Sequence, residues 1–175
     1  MKKNAAIIFG LSVLISAVAL AAAPRLTTTK SIDIDAPAAK VWAAAKDFNG
    51  LNTWHPGVAK DEIVEGKNNK VGAVRLLTLK DGGTIKEKLL HYDPAGRSFK
   101  YSIVEGVLPL SGYTSTFAVK SAGENKSTVS WTGHYQRKDL GDNPSDKEND
   151  KAASDTVAAV YQGGLDNLKK MVEAH

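Results

Sequence analysis

The sequence predicts an α+β domain in which a curved antiparallel sheet of about seven strands wraps around one long C-terminal helix, with two short helices after the first strand. Three observations carry that expectation. From Val58 to Gln136 the chain repeats short alternating segments separated by turn-forming residues, the pattern of an antiparallel meander. Beyond Ser145 the period changes, and Val157, Tyr161, Leu165, Leu168 and Val172 fall at helical spacing. Between the first strand and the meander, Val41, Trp42, Ala45 and Phe48 recur at helical spacing behind a proline.

Taken in order, Thr27 to Asp35 alternates with Ile32 and Ile34 on one side and reads as a strand. Asp35-Ala36-Pro37 starts a helix of about three turns, and Gly50 divides it from a second short helical piece ending near Pro56. Six further strands are predicted over Val58–Glu65, Val71–Leu79, Thr84–Tyr92, Ser98–Val104, Gly112–Ser121 and Ser127–Gln136. Their separators are turn chemistry, with Asp81-Gly82 the strongest hairpin signal. Ser145-Asp146-Lys147-Glu148 has capping-box spacing and predicts a final helix of about 26 residues. Gly163-Gly164 inside it costs about 2 kcal/mol against two alanines, which predicts close approach to a strand or a bound molecule.

The first residues stand apart. Lys2 and Lys3 precede an uncharged apolar run from Ala5 to Ala23, and Ala19-Leu20-Ala21 has the small-x-small pattern of a signal-peptidase site. Residues 1–21 are therefore expected to be a cleaved signal peptide, with membrane contact confined to that segment and residues 22–175 forming one exported, periplasmic domain. Loss of Lys2 and Lys3 lowers the formal net charge from +4 to +2. That balance, without basic runs interleaved with aromatics, does not suggest nucleic acid. With no cysteine, disulfides, thiolate metal sites and a cysteine nucleophile are excluded. No histidine pair has metal-ligand spacing, and no phosphate loop, dinucleotide fingerprint or nucleophile elbow occurs. No metal and no cofactor is expected.

Strand alternation assigns sides. Arg75 shares a face with Leu77 and Leu79; Glu87 and His91 share one with Ile85 and Leu89. Tyr101 follows Phe99, Tyr113 and Ser115 follow in the next strand, and Trp131 in the last. The hollow between sheet and helix is thus expected to be lined by apolar and aromatic groups with a few polar intruders, a small-ligand pocket. Arg75 and Glu87 lie near opposite each other on hairpin strands. They read as a register-setting ion pair, a ligand anchor, or an acid/base group with its oxyanion partner. Trp54-His55-Pro56 either places His55 at the cavity mouth or packs a corner with His55 toward water. Tyr161 faces inward from the long helix and, with Phe99, Phe117 and Trp131, could fill the hollow. The cavity candidates are Trp54, His55, Arg75, Glu87, His91, Tyr101, Tyr113, Ser115, Trp131 and Tyr161; no catalytic residue is nominated.

Several of these residues carry a resemblance. Val41-Trp42, Trp54-His55-Pro56, Val71-Gly72-Ala73-Val74-Arg75, Asp81-Gly82-Gly83 with Glu87-Lys88-Leu89, Tyr101-Ser102-Ile103 to Leu108-Pro109, Tyr113 and Tyr161-Gln162-Gly163-Gly164-Leu165 resemble the polyketide cyclase/dehydrase branch of the START-like (SRPBCC) superfamily. The resemblance implies a helix-grip fold. With its leader, the chain is similar to the periplasmic MxaD proteins of bacterial methanol oxidation. That similarity implies an accessory protein assisting methanol dehydrogenase and its cytochrome c, with an internal hydrophobic cavity and no catalytic residues to carry over. The chain is thus expected to be a binding or accessory protein rather than an enzyme. The alternatives are a polyketide cyclase/dehydrase-like enzyme and a carrier of a small lipid or hydrophobic metabolite. The charged stretch Arg137 to Lys151 reads either as a solvated loop or as one candidate partner surface.

Overall fold

The structure, a computed structural model, describes residues 23–174; the leader and its cleavage position lie outside the described residues. The element order is β1 (Leu26–Ile34), α1 (Ala38–Ala45), α2 (Leu51–Trp54), β2 (Val58–Glu65), β3 (Val74–Leu79), β4 (Thr84–Asp93), β5 (Ser98–Gly106), β6 (Leu110–Gly123), β7 (Lys126–Arg137) and α3 (Asp150–Glu173). All seven strands join one antiparallel sheet ordered β1-β7-β6-β5-β4-β3-β2. Consecutive hairpins account for every pairing but one, because β1 returns to close against β7. This is the predicted helix-grip architecture.

The alternation that predicted the strands is what holds them. In β7, Val129, Trp131, Gly133 and Tyr135 are buried while the residues between them are not, so one face meets the core. β3 begins at Val74 rather than Val71. Gly72 there adopts a positive φ of 92°, outside the extended region that a ladder requires. β2 ends the sheet with two register shifts and carries Lys60, Glu62 and Glu65, features that keep an edge from pairing with another chain.

α3 runs 24 residues from Asp150, and its cap differs from the predicted box. Asn149 caps it, its side chain accepting from the Ala152 amide at 2.9 Å; Ser145 to Glu148 instead closes a turn through the Glu148 amide and the Ser145 carbonyl. A true N-cap needs an extended backbone one residue before the helix, and Asn149 has it. The predicted apolar face of Val157, Tyr161, Leu165, Leu168 and Val172 is buried. Glu173 accepts from the Asp35 amide at 2.8 Å and Lys169 donates to the Asp33 carbonyl at 2.6 Å, which ties the helix end to the end of β1.

α3 packs on β1 and β7, and α1 on β6 and β7. A helix is about 10 Å wide and strands lie about 4.8 Å apart, so one helix covers two strands. The inner faces of β3, β4 and β5 are left without a long helix over them, and the cavity lies there.

Candidate functional site

The cavity has a volume of about 390 Å³, within the range of about 300–1,000 Å³ typical of small-molecule sites. Leu77 and Leu79 of β3, Ile85 of β4 and Ile103 of β5 make one wall, with Leu108 beyond them. Leu51, His55 and Val160 line it from the helical side and Val58 from the start of β2, and Lys80 and Asp81 stand at the exposed rim. Its polar end is formed by Glu87, Tyr101, Tyr113 and Trp131.

Behind Glu87 lies a sealed charge cluster. Arg75, only 2% exposed, sits directly opposite Glu87 in the β3–β4 ladder. Its Nε and one terminal nitrogen both donate to Glu87 Oε2, at 2.8 and 2.6 Å. The other terminal nitrogen donates to the Phe48 carbonyl at 2.5 Å and reaches Asp61 at 3.3 Å. The guanidinium also lies over the Phe48 ring, 4.2 Å from its centroid. Every nitrogen of Arg75 is therefore committed within the fold, and the residue does not line the cavity. That corrects its expected roles as ligand anchor and oxyanion partner: the ion-pair reading is the one the geometry fits. Burial opposes the charge on Arg75, and the two carboxylates outweigh it. Burial pushes the carboxyls of Glu87 and Asp61 upward, with Arg75 opposing in both. Glu87 spends only Oε2 on the pair; Oε1 has no hydrogen-bond partner among the described residues on a residue that lines the cavity.

His55 is buried, not turned to water. The Gly57 amide donates to Nδ1 at 3.1 Å, so the ring proton is on Nε2, which donates to the Val160 carbonyl at 3.0 Å. Burial lowers the His55 pKa below its ordinary value, so the ring is neutral with both nitrogens engaged. It positions α3 against the corner after α2. Gly164 permits this contact: a Cβ there would come within 2.6 Å of His55 Cδ2 and 3.0 Å of Trp131. The glycine pair thus divides, since Gly163 faces open space.

A hydroxyl chain crosses the polar end. Trp131 Nε1 donates to Tyr101 Oη at 2.9 Å; Tyr101 and Tyr113 hydroxyls lie 3.4 Å apart, Tyr113 and Tyr161 2.6 Å, and Tyr161 and Ser115 2.8 Å. Ser115 donates to the Thr132 carbonyl at 3.0 Å. Burial raises the pKa of all three tyrosines, which keeps them protonated.

Of the ten sequence candidates, His55, Glu87, Tyr101, Tyr113 and Trp131 line the cavity. Trp54, Arg75, Ser115 and Tyr161 are buried behind it; Tyr161 stacks on Trp131 at 4.5 Å. His91 is exposed. A register shift between Leu89 and His91 in the β4–β5 ladder breaks the alternation on which its inward assignment rested. Phe99 and Phe117, stacked at 5.3 Å, fill the interior beyond the cavity rather than the cavity itself. Asp61 was missed, though its position inside a predicted strand on the same parity as Ile63 was a signal. Among the described residues no cluster of three or more His, Asp or Glu side chains could hold a metal ion, and no helix is long and apolar enough to cross a membrane.

Fold and site together define a helix-grip protein with a ligand-sized cavity between sheet and helices. Residues 25–173 match the family described as polyketide cyclase/dehydrase and lipid transport, and the chain belongs to that family, within the START-like (SRPBCC) superfamily. It is similar to the solved structure of the protein XoxI from Bacillus cereus, with 30% identity, 83% of this chain and 94% of that one covered, and a TM-score of 0.73. A structure from Thermobifida fusca is 24% identical over 83% of this chain and 92% of that one, with a TM-score of 0.70. The Zhui aromatase/cyclase from Streptomyces sp. R1128 shares the fold at 19% identity, covering 86% and 94% of the two chains with a TM-score of 0.68. These findings correct the expectation of a binding protein rather than an enzyme. The family couples cyclase and dehydrase members with lipid transport, and an aromatase/cyclase is built on the same fold, so membership points to catalysis as readily as to carriage.

Proposed function

We propose that this chain binds one small, largely apolar organic molecule in the cavity beneath β3, β4 and β5. The observation that carries this reading is an open volume of about 390 Å³ with apolar walls and a single polar end. Apolar surface left facing water is costly at about 25 cal/mol per Å², and a ligand of matching shape removes that cost. Titration with N-phenyl-1-naphthylamine, followed by its fluorescence, tests it: saturable one-to-one binding is expected, and Ile103→Trp, which fills the cavity from its wall, weakens it at least about tenfold. Absence of saturable binding, or full binding by the filled variant, overturns the proposal.

Cyclase/dehydrase-type chemistry is the second reading, favoured by Glu87, whose free Oε1 belongs to a buried carboxyl on the cavity wall. In that reading Glu87 takes a proton from a carbon beside a ligand carbonyl. Glu87→Gln then abolishes turnover of a polyketide-type substrate while retaining probe binding. A periplasmic accessory role beside methanol dehydrogenase and its cytochrome c, after cleavage at Ala21, is carried by the leader and the MxaD resemblance, with the segment Arg137 to Lys151 as its contact surface. A pull-down from periplasm at low and moderate salt tests it: recovery of neither protein overturns that role.

A further inference from the structure

The hydroxyl chain has a direction, and that direction bears on what the cavity can hold. Ser115 has one proton and gives it to the Thr132 carbonyl, so in the Ser115–Tyr161 contact Tyr161 is the donor. Tyr161 has then spent its proton, and Tyr113 must donate to it. Tyr113 in turn accepts from Tyr101, and Tyr101 accepts from Trp131, whose indole N–H can only donate. The fixed acceptor at the Thr132 carbonyl thus orients the protons of Ser115, Tyr161 and Tyr113, and leaves Tyr113 as the acceptor for Tyr101.

Tyr101 and Tyr113 line the cavity; the Tyr113 proton is spent on Tyr161 at 2.6 Å, the Tyr101 proton has Tyr113 as its acceptor at 3.4 Å, and each phenol oxygen keeps acceptor capacity. The other polar groups nearby have no proton to spare either, and Glu87, ion-paired to Arg75 through Oε2, offers acceptor lone pairs on Oε1. The Trp131 N–H is spent on Tyr101, His55 Nε2–H is spent on Val160, and Arg75 is sealed behind Glu87. Lys80 supplies a donor only at the exposed rim.

We propose that the tyrosine end of the cavity is an acceptor subsite that selects ligands presenting a hydroxyl, phenol or amine donor and rejects those presenting only an ether, carbonyl or carboxylate oxygen. The inference rests on the cavity-binding reading and names the ligand class for it. A donor group meets a free lone pair on Tyr101 or Tyr113. An acceptor-only group meets lone pairs and is left desolvated and unpaired, which costs binding.

The test compares 2-naphthol, 2-methoxynaphthalene and 2-naphthoate by isothermal titration calorimetry. Their ring systems are the same, and the extra methyl favours the ether on hydrophobic grounds. 2-Naphthol is nevertheless expected to bind about tenfold tighter than 2-methoxynaphthalene, with 2-naphthoate weakest. Equal or tighter binding of the ether overturns the acceptor subsite and leaves the cavity reading standing; no binding of any probe ends both. In Tyr113→Phe the Tyr101 hydroxyl loses its acceptor and is free to donate into the cavity, so the preference for naphthol over the ether falls toward parity. An unchanged preference in a folded Tyr113→Phe variant would also overturn the assignment. The wild-type comparison decides the question alone if that variant does not fold.

Discussion

The interior has two halves built from the same alternating strands. Toward α1, Trp42, Phe48, Phe99 and Phe117 pack ring against ring, and none of the four exceeds 6% exposure. Toward β3, Leu77, Leu79, Ile85 and Ile103 face an opening instead. The apolar character of the inward residues is the same in both; the difference is what stands opposite. α1 and the corner before α2 supply large rings to the first half, whereas the second receives only Leu51, His55, Val58 and Val160. The Arg75–Asp61–Glu87 cluster lies next to both, with Arg75 over the Phe48 ring on one side and Glu87 at the cavity on the other.

Removing that cluster's cation is the severest way to break the arrangement. Arg75→Met leaves Glu87 and Asp61 buried without a counter-charge, and a loss of about 3–5 kcal/mol in urea unfolding is expected. The two halves are compared directly by truncation. Phe117→Ala opens a void in the packed half and costs about 3–5 kcal/mol, while Leu79→Ala, half-buried beside space already open, costs no more than about 1–2 kcal/mol. Equal losses would mean that the cavity half is as well packed as the other. The glycine pair of α3 sharpens the comparison further. Gly164→Ala pushes into His55 and Trp131 and costs about 1–3 kcal/mol, whereas Gly163→Ala meets open space and gains up to about 1 kcal/mol through helix propensity.

The smallest expected effect is on pH dependence. The folded pKa of His55 lies below its ordinary value of 6.5, so the unfolded chain holds the proton more tightly. Stability from this residue is complete above about 6.5 and declines as pH falls through that value toward the folded pKa. Glu87 and Asp61 act oppositely, because burial raises their folded pKa values and their contribution grows as pH falls. Subtracting the stability profile of His55→Gln from that of the native chain isolates the histidine, and the difference should slope downward from pH 7 to pH 5.5. A flat difference would mean that the ring is not held neutral.

Much of the fold was legible before any tertiary contact was known. Strand alternation, the turns at Asp81-Gly82 and Asp93-Pro94, and the apolar stripe of α3 are local patterns, and local hydrogen bonding and side-chain periodicity obey them. Facing residues could be read in the same way, which is why Glu87, Tyr101, Tyr113 and Trp131 were placed at the cavity. The pattern failed where local geometry left the ideal: at the bulge that turns His91 outward, and at Asn149, whose extended backbone rather than a spacing rule made it the cap.

Three things were decided only by the assembled fold. The sealing of Arg75 depends on the Phe48 carbonyl and Asp61, which sequence separates from it by 27 and 14 residues. The burial that holds His55 neutral depends on its packing against α3, where its Nε2–H meets a carbonyl 105 residues away. The proton order along the tyrosines depends on groups from β5, β6, β7 and α3 meeting at one point. Sequence determines which face each side chain takes because that is set by neighbouring dihedral angles. Whether a polar group still has a proton or lone pair to offer is set by its partners in space, and only tertiary structure chooses those.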